Sequence, residues 1–376
     1  MPEKYEVLIV GGGVIGLSIA RELHRNGVGK IAIVERGRTG EEASWAAAGM
    51  LSPNVETNVA TPFHRFCRES LEMYPHFAAG LLEETGIDVE IDRSGTMFVA
   101  FGDEDGRKLV GEHRKLTDAG IESSMLAKED ILTAEPELSS LVQTGLSFPD
   151  DWQVENRRLL AALRRYAELN GIDVIENTRV EQLVIEGGRV RGADGYEADA
   201  TVLATGAWTS LIKFGNVLSP VTIKPIRGQM IWFDRGERIL EKVVYGPGCY
   251  LVPRKDGRIL AGSTTEDVGF EKGNTPSAIE QLANAAREIL PALRDVEVAG
   301  SWSGLRPRSD DEIPVIGSLA GFDDLIVATG HYRNGILAAP HTAKIVAERI
   351  VSGAMSAYFD VFDPDRFSSA ASANAN

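Results

Sequence analysis

Residues 5–27, YEVLIVGGGVIGLSIARELHRNG, decide the fold of this 376-residue chain. YEVLIV is a compact apolar run typical of a buried strand, and the residues from Val14 onward place apolar side chains at helical spacing until Gly27. A second apolar run, IAIVE, follows at 31–35. A strand, a helix and a strand within about thirty residues form the minimum crossover between two parallel strands. The chain therefore opens with a Rossmann-like α/β unit.

The turn between the first strand and the helix contains Gly11, Gly13 and Gly16, and Glu35 ends the second strand. In this context the first glycine permits a tight turn, the second lets the backbone approach a pyrophosphate, and the third allows close packing of helix on strand. The helix N-terminus then faces the phosphates with its free amides. Glu35 would bind a ribose diol and repel a 2′-phosphate, which disfavours NADP. The motif predicts a bound dinucleotide but does not separate FAD from NAD.

The rest of the chain predicts a second, interleaved domain. Strand-like runs such as TMFVAF, KPIRGQMIWF, CYLVPR and RILAGS predominate at 86–148 and 222–315 and indicate an antiparallel sheet. An amphipathic helix near 157–170, several short strands after it, and a final strand, loop and helix return to the first unit. We predict a Rossmann-like cofactor-binding domain of residues 1–85, 149–221 and 316–365. We predict an antiparallel-sheet substrate domain of residues 86–148 and 222–315, and a disordered tail at 366–376.

Composition narrows the classes of function. The formal net charge of −16 disfavours nucleic acid or an anionic membrane surface as the main partner, so an anionic substrate needs a cationic pocket of its own. Cys67 and Cys249 are far apart and outside any metal-ligand spacing, so neither a disulfide nor a zinc site is indicated. The first apolar run is too short for a secretory signal, and no run is long enough to span a bilayer. These features favour the cytoplasm.

Three later segments bear on which dinucleotide binds. Residues 41–50, EEASWAAAGM, place small residues where a bulky cofactor needs the backbone close, although a packed helix start explains them equally well. Ala204, Thr205 and Gly206 are typical of a strand end that closes over a dinucleotide, although any buried strand could end in glycine. Residues 330–337, GHYRNGIL, supply amides at the start of the last helix, where the positive end of the dipole could stabilise a reduced flavin.

The combination of GGGVIG, EASWAAAGML, CYLVPR, AGSTTE, SGLRP and GHYRNGIL resembles the glycine oxidases, within the D-amino-acid oxidase family. The resemblance covers essentially the whole chain in order. It implies non-covalent FAD, so the first domain becomes an FAD-binding domain. It also implies a homo-oligomer, expected as a homotetramer, and conversion of glycine to an imine for thiamine thiazole synthesis. The candidate cofactor contacts are Gly11, Gly13, Val14, Ile15, Gly16, Glu35, Arg36, Ala43, Ser44, Ala48, Gly49, Met50, Val180, Ala204, Thr205, Gly206, Gly330, His331, Tyr332, Arg333, Asn334, Gly335, Ile336 and Leu337.

The chain departs from related patterns in two places. Sarcosine oxidases that attach flavin covalently use a cysteine near the equivalent of SWSGLRP at 301–307, and none stands there. The glycine oxidases place an apolar side chain near the position of Thr265. The pocket of this chain is therefore expected to be more polar, or shaped for a different amine.

Arg306, within SGLRP, is the first candidate for the substrate carboxylate, because a guanidinium forms two parallel charge-assisted bonds to a carboxylate and stays protonated. The alternative is a surface arginine paired with Asp310 or Asp311. Tyr250 would add a hydroxyl to the same carboxylate or close the pocket. The further candidates at the substrate are Tyr245, Arg333 and Met50. For His331 we expect a backbone amide donor rather than a base.

The inferred reaction is transfer of hydride from the substrate α carbon to flavin N5, which needs a neutral amine and exact positioning. Oxygen would reoxidise the flavin to give hydrogen peroxide, and the imine would hydrolyse to the oxo acid and ammonia or pass to a thiazole synthase. Four alternatives stay open. They are a D-amino-acid dehydrogenase with a quinone-type acceptor, a sarcosine-oxidase-like enzyme, a tRNA-modifying flavin oxidase, which the acidic balance disfavours, and a non-catalytic FAD-binding protein.

Overall fold

The computed structural model describes residues 4–56 and 60–367. The strands in this part of the chain are β1 Lys4–Val10, β2 Ile31–Val34, β3 Met50–Leu51, β4 Thr96–Ala100, β5 Ser124–Ala127, β6 Thr144–Phe148, β7 Trp152–Gln153, β8 Asp173–Ile175, β9 Gln182–Glu186, β10 Arg189–Ala193, β11 Tyr196–Leu203, β12 Lys213–Phe214, β13 Val217–Leu218, β14 Lys224–Asp234, β15 Val243–Gly246, β16 Cys249–Pro253, β17 Arg258–Gly262, β18 Val298–Arg308, β19 Val315–Leu319 and β20 Phe322–Thr329. The α-helices are α1 Val14–Arg25, α2 Ala43–Ala46, α3 Pro53–Glu56, α4 Pro62–Thr85, α5 Asp103–Asp118, α6 Lys128–Ala134, α7 Asn156–Leu169, α8 Pro276–Ile289, α9 Gly335–Ser352 and α10 Tyr358–Val361.

The first sheet is built around parallel strands. β8, β2, β1, β11 and β20 pair in that order, each parallel to its neighbour. β19 adds to β20, and β10, β9, β12 and β13 extend the sheet beyond β11, which gives ten strands. The crossover from β1 through α1 to β2 confirms the predicted α/β unit. Because the central strands are parallel, their carboxyl ends lie together at one edge of the sheet.

Helices cover the central strands of this sheet. The apolar faces of α1, α4, α7 and α9 form one core with residues of β1 and β2, and a second core on the opposite face includes Leu8, Val10 and Val34. α4 begins where the Thr61 hydroxyl accepts the amide of His64 at 3.0 Å, and it ends at Gly86 with a left-handed φ of 74°. This packing fixes the start of α1 and the start of α9 beside the carboxyl edge.

The second sheet has eight strands in the order β18, β14, β17, β16, β15, β4, β6 and β5. All neighbours are antiparallel except β15 and β4, which run parallel with Val243 opposite Thr96. The longest pair, β14 with β18, places Gly228 opposite Gly304 and Ile226 opposite Arg306. A separate two-stranded ribbon of β3 and β7 pairs Met50 with Gln153.

The sequence patterns did not predict three helices that connect strands of the second sheet, namely α5, α6 and α8. α5 and α6 lie within 86–148, and α8 lies within 222–315, where strand-like runs were expected to predominate. α5 reads DEDGRKLVGEHRKLTD and buries only Gly106 and Leu116, so it lacks the apolar stripe that marks a helix. The proposed domain boundaries remain a proposal.

The predicted disordered tail at 366–376 falls mostly on residues 368–376, which lie outside the described residues. Arg366 and Phe367 end a short 3-10 helix, Pro364–Phe367, and the Arg366 guanidinium binds the Asp311 carboxylate at 2.8 Å. Within residues 4–56 and 60–367, no helix combines the length and the apolar character needed to cross a bilayer.

Candidate active site

A large cavity opens at the carboxyl edge of the parallel strands and extends to one face of the eight-stranded sheet. Gly11 follows β1, Glu35 follows β2 and Ala204 follows β11, so the parallel strands deliver these residues to the same place. Met230 of β14, Tyr250 of β16 and Arg306 of β18 form the opposite part of the wall. The cavity therefore joins the two halves of the predicted site.

Most of the candidate residues line this cavity. They are Gly11, Gly13, Val14, Ile15, Glu35, Arg36, Ala43, Ser44, Ala48, Gly49, Met50, Val180, Ala204, Thr205, Gly206, Tyr250, Arg306, His331, Tyr332, Arg333, Asn334, Gly335 and Ile336. Four candidates lie behind the wall and not on it, namely Gly16, Tyr245, Gly330 and Leu337.

The glycine turn leaves no room for side chains. Gly11 has a left-handed φ of 110°, and a β carbon on it would lie 2.3 Å from the carbonyl oxygen of Ala204. A β carbon on Gly16 would lie 2.0 Å from the carbonyl oxygen of Gly11. Gly16 therefore shapes the turn from beneath, although it does not touch the cavity.

Glu35 and Arg36 form one end of the cavity. The two carboxylate oxygens of Glu35 accept the amides of Gly12 at 2.8 Å and Gly37 at 2.9 Å, which fixes the side chain beneath the turn. The Arg36 guanidinium lies 3.7 Å from the centre of the Trp208 ring and forms an ion pair with Glu42. A planar, stacked cation beside a carboxylate can hold the ring and the ribose of a nucleotide.

Side chains of other elements donate hydrogen bonds to the backbone carbonyls of the segment 44–48. Asn156 Nδ2 donates to the carbonyl oxygens of Ser44 at 2.8 Å and Trp45 at 3.1 Å. The indole of Trp302 donates to the carbonyl of Ala46 at 2.9 Å. The carbonyl of Ala48 accepts a hydrogen bond from Arg254. The carbonyls of residues 44, 45, 46 and 48 therefore all accept hydrogen bonds from side chains.

Arg254 is 4% exposed and joins this segment to β7 and the residues after it. Its Nη2 donates to the carbonyl of Ala48 at 2.7 Å, and its Nη1 donates to the carbonyl of Val154 and to Gln153, each at 3.0 Å. Glu155 lies 3.6 Å from Nε and supplies the countercharge. Burial lowers the pKa of Arg254, and the carboxylate of Glu155 opposes that shift.

The carbonyl contacts leave the amides of the same segment available. Within the described residues, the amides of Ala47, Ala48 and Gly49 donate to no acceptor, and all three residues line the cavity. Gly49 has a φ of 75°, and a β carbon on it would lie 2.1 Å from the carbonyl oxygen of Val154. The segment can therefore present N–H donors to an electron-rich ligand at close range.

Arg306 lies on β18 with its guanidinium flat over Gly228, where a β carbon would lie 2.3 Å from Nη2. Its Nη1 donates to the carbonyl of Thr264 at 3.2 Å, and its Nη2 donates to the hydroxyl of Ser263 at 2.6 Å. Within the described residues, it makes no ion pair with a carboxylate. Its guanidinium can therefore bind an anion that enters the cavity.

The alternative partners of Arg306 are engaged elsewhere. Asp310 lies 3.2 Å from the ammonium of Lys224, and Asp311 binds Arg366. The surface-pair interpretation of Arg306 was therefore wrong. Thr265 lies outside the cavity wall, while its neighbours Ser263 and Thr264 hold the guanidinium.

Aromatic and sulfur-containing side chains surround the space beside Arg306. The Tyr250 hydroxyl donates toward Met230 Sδ at 3.8 Å. Tyr245 donates to Met50 Sδ at 3.3 Å, and its ring stacks on Phe98 with 4.5 Å between centroids. Tyr245 therefore supports Met50 from behind the wall.

His331 is fully buried, and its Nε2 lies 3.1 Å from the Thr342 hydroxyl. Burial lowers the pKa of His331 to about 3. An imidazole with so low a pKa is a poor proton acceptor near neutral pH. The side chain of His331 is therefore poorly suited to act as a base.

Several cavity residues were missed by the sequence reading. They are Ser52, Trp208, Gly228, Met230, Ser263 and Gly304, among others. Ser263 and Gly304 lie inside the quoted stretches AGSTTE and SGLRP, so a signal was present for them. Gly228 and Met230 lie in a strand that reads as ordinary core, and the pairing of β14 with β18 alone brings them to the site.

Comparison with known proteins assigns most of the chain to one family. A family model described as FAD dependent oxidoreductase matches residues 6–349. A glycine oxidase of Pseudomonas aeruginosa is 36% identical over 358 residues, which cover 92% of this chain and 94% of that protein. The crystal structure of glycine oxidase from Geobacillus kaustophilus superposes with a TM-score of 0.89 at 32% identity, covering 96% of this chain and 99% of the other.

A second kind of relative is longer. A bifunctional protein ThiO/ThiG of Synechocystis sp. is 34% identical over 376 residues, which cover 98% of this chain but 55% of that protein. The chain therefore spans about half the length of the bifunctional relatives that it matches.

Proposed function

The chain belongs to the family of FAD-dependent oxidoreductases, and from this membership we propose that it oxidises glycine or another small amino acid at its amine. The products are the imine, which yields an oxo acid and ammonia, and hydrogen peroxide. Arg306, held in the cavity without a carboxylate partner among the described residues, is the observation that carries the proposal. The relative named glycine oxidase, which this chain matches over nearly the full length of that protein, supports the choice of substrate.

The residues that line the cavity are suited to hold FAD non-covalently. At Gly11 and Gly49, which both line the cavity, a β carbon would clash with a backbone carbonyl, so the backbone of these two residues stays open to a ligand. Glu35 and Arg36 suit the nucleotide end, and the open amides of residues 47–49 suit the electron-rich edge of a flavin. When bound, FAD supplies a two-electron acceptor that oxygen can regenerate.

The chain's own residues position the amino acid. The Arg306 fork binds the substrate carboxylate in two parallel hydrogen bonds, with Ser263 and Thr264 fixing the plane of the guanidinium. Tyr250, Met230 and Met50 enclose the space beside it, which favours a small group on the α carbon. His331 does not take up the proton at Nε2, because burial keeps its pKa low.

Replacing Gly16 by alanine is expected to lower FAD affinity and stability together. The new β carbon must displace the Gly11 carbonyl 2.0 Å away, and such overpacking costs about 1–3 kcal/mol. If the whole of that free-energy cost falls on FAD binding, it corresponds to about a 5- to 150-fold loss of affinity for FAD. FAD titration of the apoprotein and thermal unfolding measure both effects.

The matched control is Gly111→Ala, on α5, where a β carbon meets no atom within 4 Å. The control should leave FAD affinity unchanged and raise stability by about 0.5–1 kcal/mol, as expected for alanine in place of glycine in a helix. Equal FAD affinity in the two variants would contradict the assigned role of Gly16.

We further propose that the imine supplies thiamine thiazole synthesis by transfer to a thiazole synthase. The fused ThiO/ThiG relatives, of which this chain matches about half, support a link between the two activities. We also propose a homo-oligomer, as the resemblance to glycine oxidases implies. A cytoplasmic location is supported by Cys67 and Cys249, which are both buried and form no disulfide among the described residues.

Oxygen consumption by the FAD-loaded protein tests the oxidase proposal against a dehydrogenase with a quinone-type acceptor. With glycine we expect one peroxide formed per oxygen consumed, together with glyoxylate and ammonia. Turnover that needs an added quinone and yields no peroxide would instead support the dehydrogenase. Sarcosine and D-alanine in parallel rank the substrates.

A further inference from the structure

Met50 brings a thioether to the cavity wall, and its sulfur takes no part in the proposed reaction. The methionines in the described part of the chain are Met50, Met73, Met97, Met125, Met230 and Met355. Of these, Met50 and Met230 line the cavity. Oxidants convert methionine to its sulfoxide, which turns a flexible apolar side chain into a polar one. A methionine in the cavity of a peroxide-forming enzyme therefore meets an oxidant at the place where that oxidant forms.

The backbone and the sulfur of Met50 are both fixed at the wall. β3 pairs Met50 with Gln153 of β7, and the preceding residue, Gly49, carries one of the amides that suit the electron-rich edge of a flavin. The Tyr245 hydroxyl donates to Met50 Sδ at 3.3 Å, and the Tyr245 ring stacks on Phe98 with 4.5 Å between centroids. Tyr245 lies behind the wall, so its hydroxyl engages one lone pair of the sulfur from the side away from the cavity. A thioether sulfur has a second lone pair, which suits a reactant inside the cavity.

Met230, the second methionine of the wall, is more tightly packed than Met50. Met230 is 3% exposed, and a β carbon on Gly262 would lie 2.9 Å from its Cε and 3.0 Å from its Cγ. These two carbons flank the sulfur of Met230, so little space is left for another atom beside it. Met50 is partly exposed. An oxygen added to sulfur therefore has more room at Met50 than at Met230.

The two cysteines compete poorly for peroxide. Cys249 precedes Tyr250 on β16, and burial raises the pKa of its thiol to about 12, so the thiol stays protonated near neutral pH. The thiolate is the reactive form, so a protonated thiol is a weak nucleophile. Cys67 is buried among the helices that cover the first sheet. Neither cysteine lines the cavity, so Met50 is the better placed sulfur.

We propose that the hydrogen peroxide produced by the enzyme oxidises Met50 to its sulfoxide and that this modification limits further turnover. The proposal rests on the amine oxidation proposed above, which supplies the peroxide. The sulfur lone pair attacks one peroxide oxygen, so an S–O bond forms and the O–O bond breaks. Sulfur is oxidised and peroxide is reduced, and the departing hydroxide takes the proton of the transferred oxygen and leaves as water. The sulfoxide adds a polar oxygen to the wall beside Arg306, which narrows the space for the amino acid.

Aerobic turnover of saturating glycine in the presence of catalase tests the modification in the FAD-loaded protein. Catalase destroys peroxide that has reached the solvent, so a methionine close to the point of formation should be modified selectively. Mass spectrometry of the digested protein should find one added oxygen on the Met50 peptide, increasing with turnover, and none on the peptide of Met355, which is 68% exposed. Peroxide added without catalase should modify Met355 too, which shows that its peptide reports oxidation. Equal modification of both peptides under catalase, or an unmodified Met50, would overturn the site.

Two variants connect the modification to the loss of activity. Met50→Leu nearly keeps the side-chain volume but has no sulfur, so it should hold its own initial rate while the wild-type rate falls with the fraction of Met50 modified. Met355→Leu is the matched control and should lose activity in step with the wild type. An equal loss in Met50→Leu, or a modified Met50 with an undiminished rate, would overturn the limit on turnover. If Met50→Leu does not fold, the wild-type time courses of modification and rate decide. A wild-type protein that forms no peroxide with any small amine would overturn the proposed function itself.

Discussion

Replacement of Arg306 by alanine should lower kcat/KM for glycine by about 30- to 5,000-fold while FAD remains bound. The range corresponds to the 2–5 kcal/mol that is lost when one partner of a buried, hydrogen-bonded charge pair is removed. The main effect falls on the Michaelis constant, because the guanidinium binds the carboxylate and not the reacting carbon. Steady-state kinetics and the flavin absorbance of the purified variant measure the two quantities.

Two further variants make this result specific. Arg306→Lys keeps the charge but loses the planar fork, so most of the defect should remain. Arg308→Ala, two residues further along β18, removes a guanidinium that lies 4.0 Å from Glu312, and it should leave the kinetics close to wild type. Unchanged kinetics in Arg306→Ala would remove Arg306 from the substrate site.

Replacement of Arg254 by methionine should lower the free energy of unfolding by about 3–5 kcal/mol, the range for breaking a buried ion pair. The variant leaves the Ala48 and Val154 carbonyls without their buried donor and removes the positive charge that lies 3.6 Å from the Glu155 carboxylate. Because Ala48 belongs to the segment whose amides face the cavity, FAD affinity should fall as well. Denaturant unfolding of the apoprotein and FAD titration separate the two effects.

Arg258→Met is the matched control for Arg254. The Arg258 guanidinium also binds Glu155, at 2.7 Å, but it makes no contact with the segment 44–48 among the described residues. It should lower stability less and leave FAD affinity nearly unchanged. An Arg254→Met protein that binds FAD as tightly as Arg258→Met would contradict the role given to the carbonyl contacts.

Local sequence patterns predicted the helices and strands whose signals lie within a few neighbouring residues. The apolar runs of β1 and β2 and the helical spacing of α1 predicted the crossover, because periodicity and glycine turns act within a few residues. The polar helix α5 carries no apolar stripe, so its periodicity gave no signal.

A site residue could be predicted from the sequence only where the residue type alone suits a ligand. Arg306 was a candidate because a guanidinium suits a carboxylate. The role of Arg254 depends on its contact with Ala48, which is 206 positions away in the chain. Such contacts arise only when the sheets pack together, and no single-sequence pattern encodes them.

Anaerobic mixing of the FAD-loaded protein with glycine tests the central claim most directly. The account predicts that glycine bleaches the flavin absorbance completely in the wild type, and that Arg306→Ala needs a far higher glycine concentration for the same bleaching. A flavin that stays oxidised with glycine, sarcosine and D-alanine alike would contradict amine oxidation by this protein.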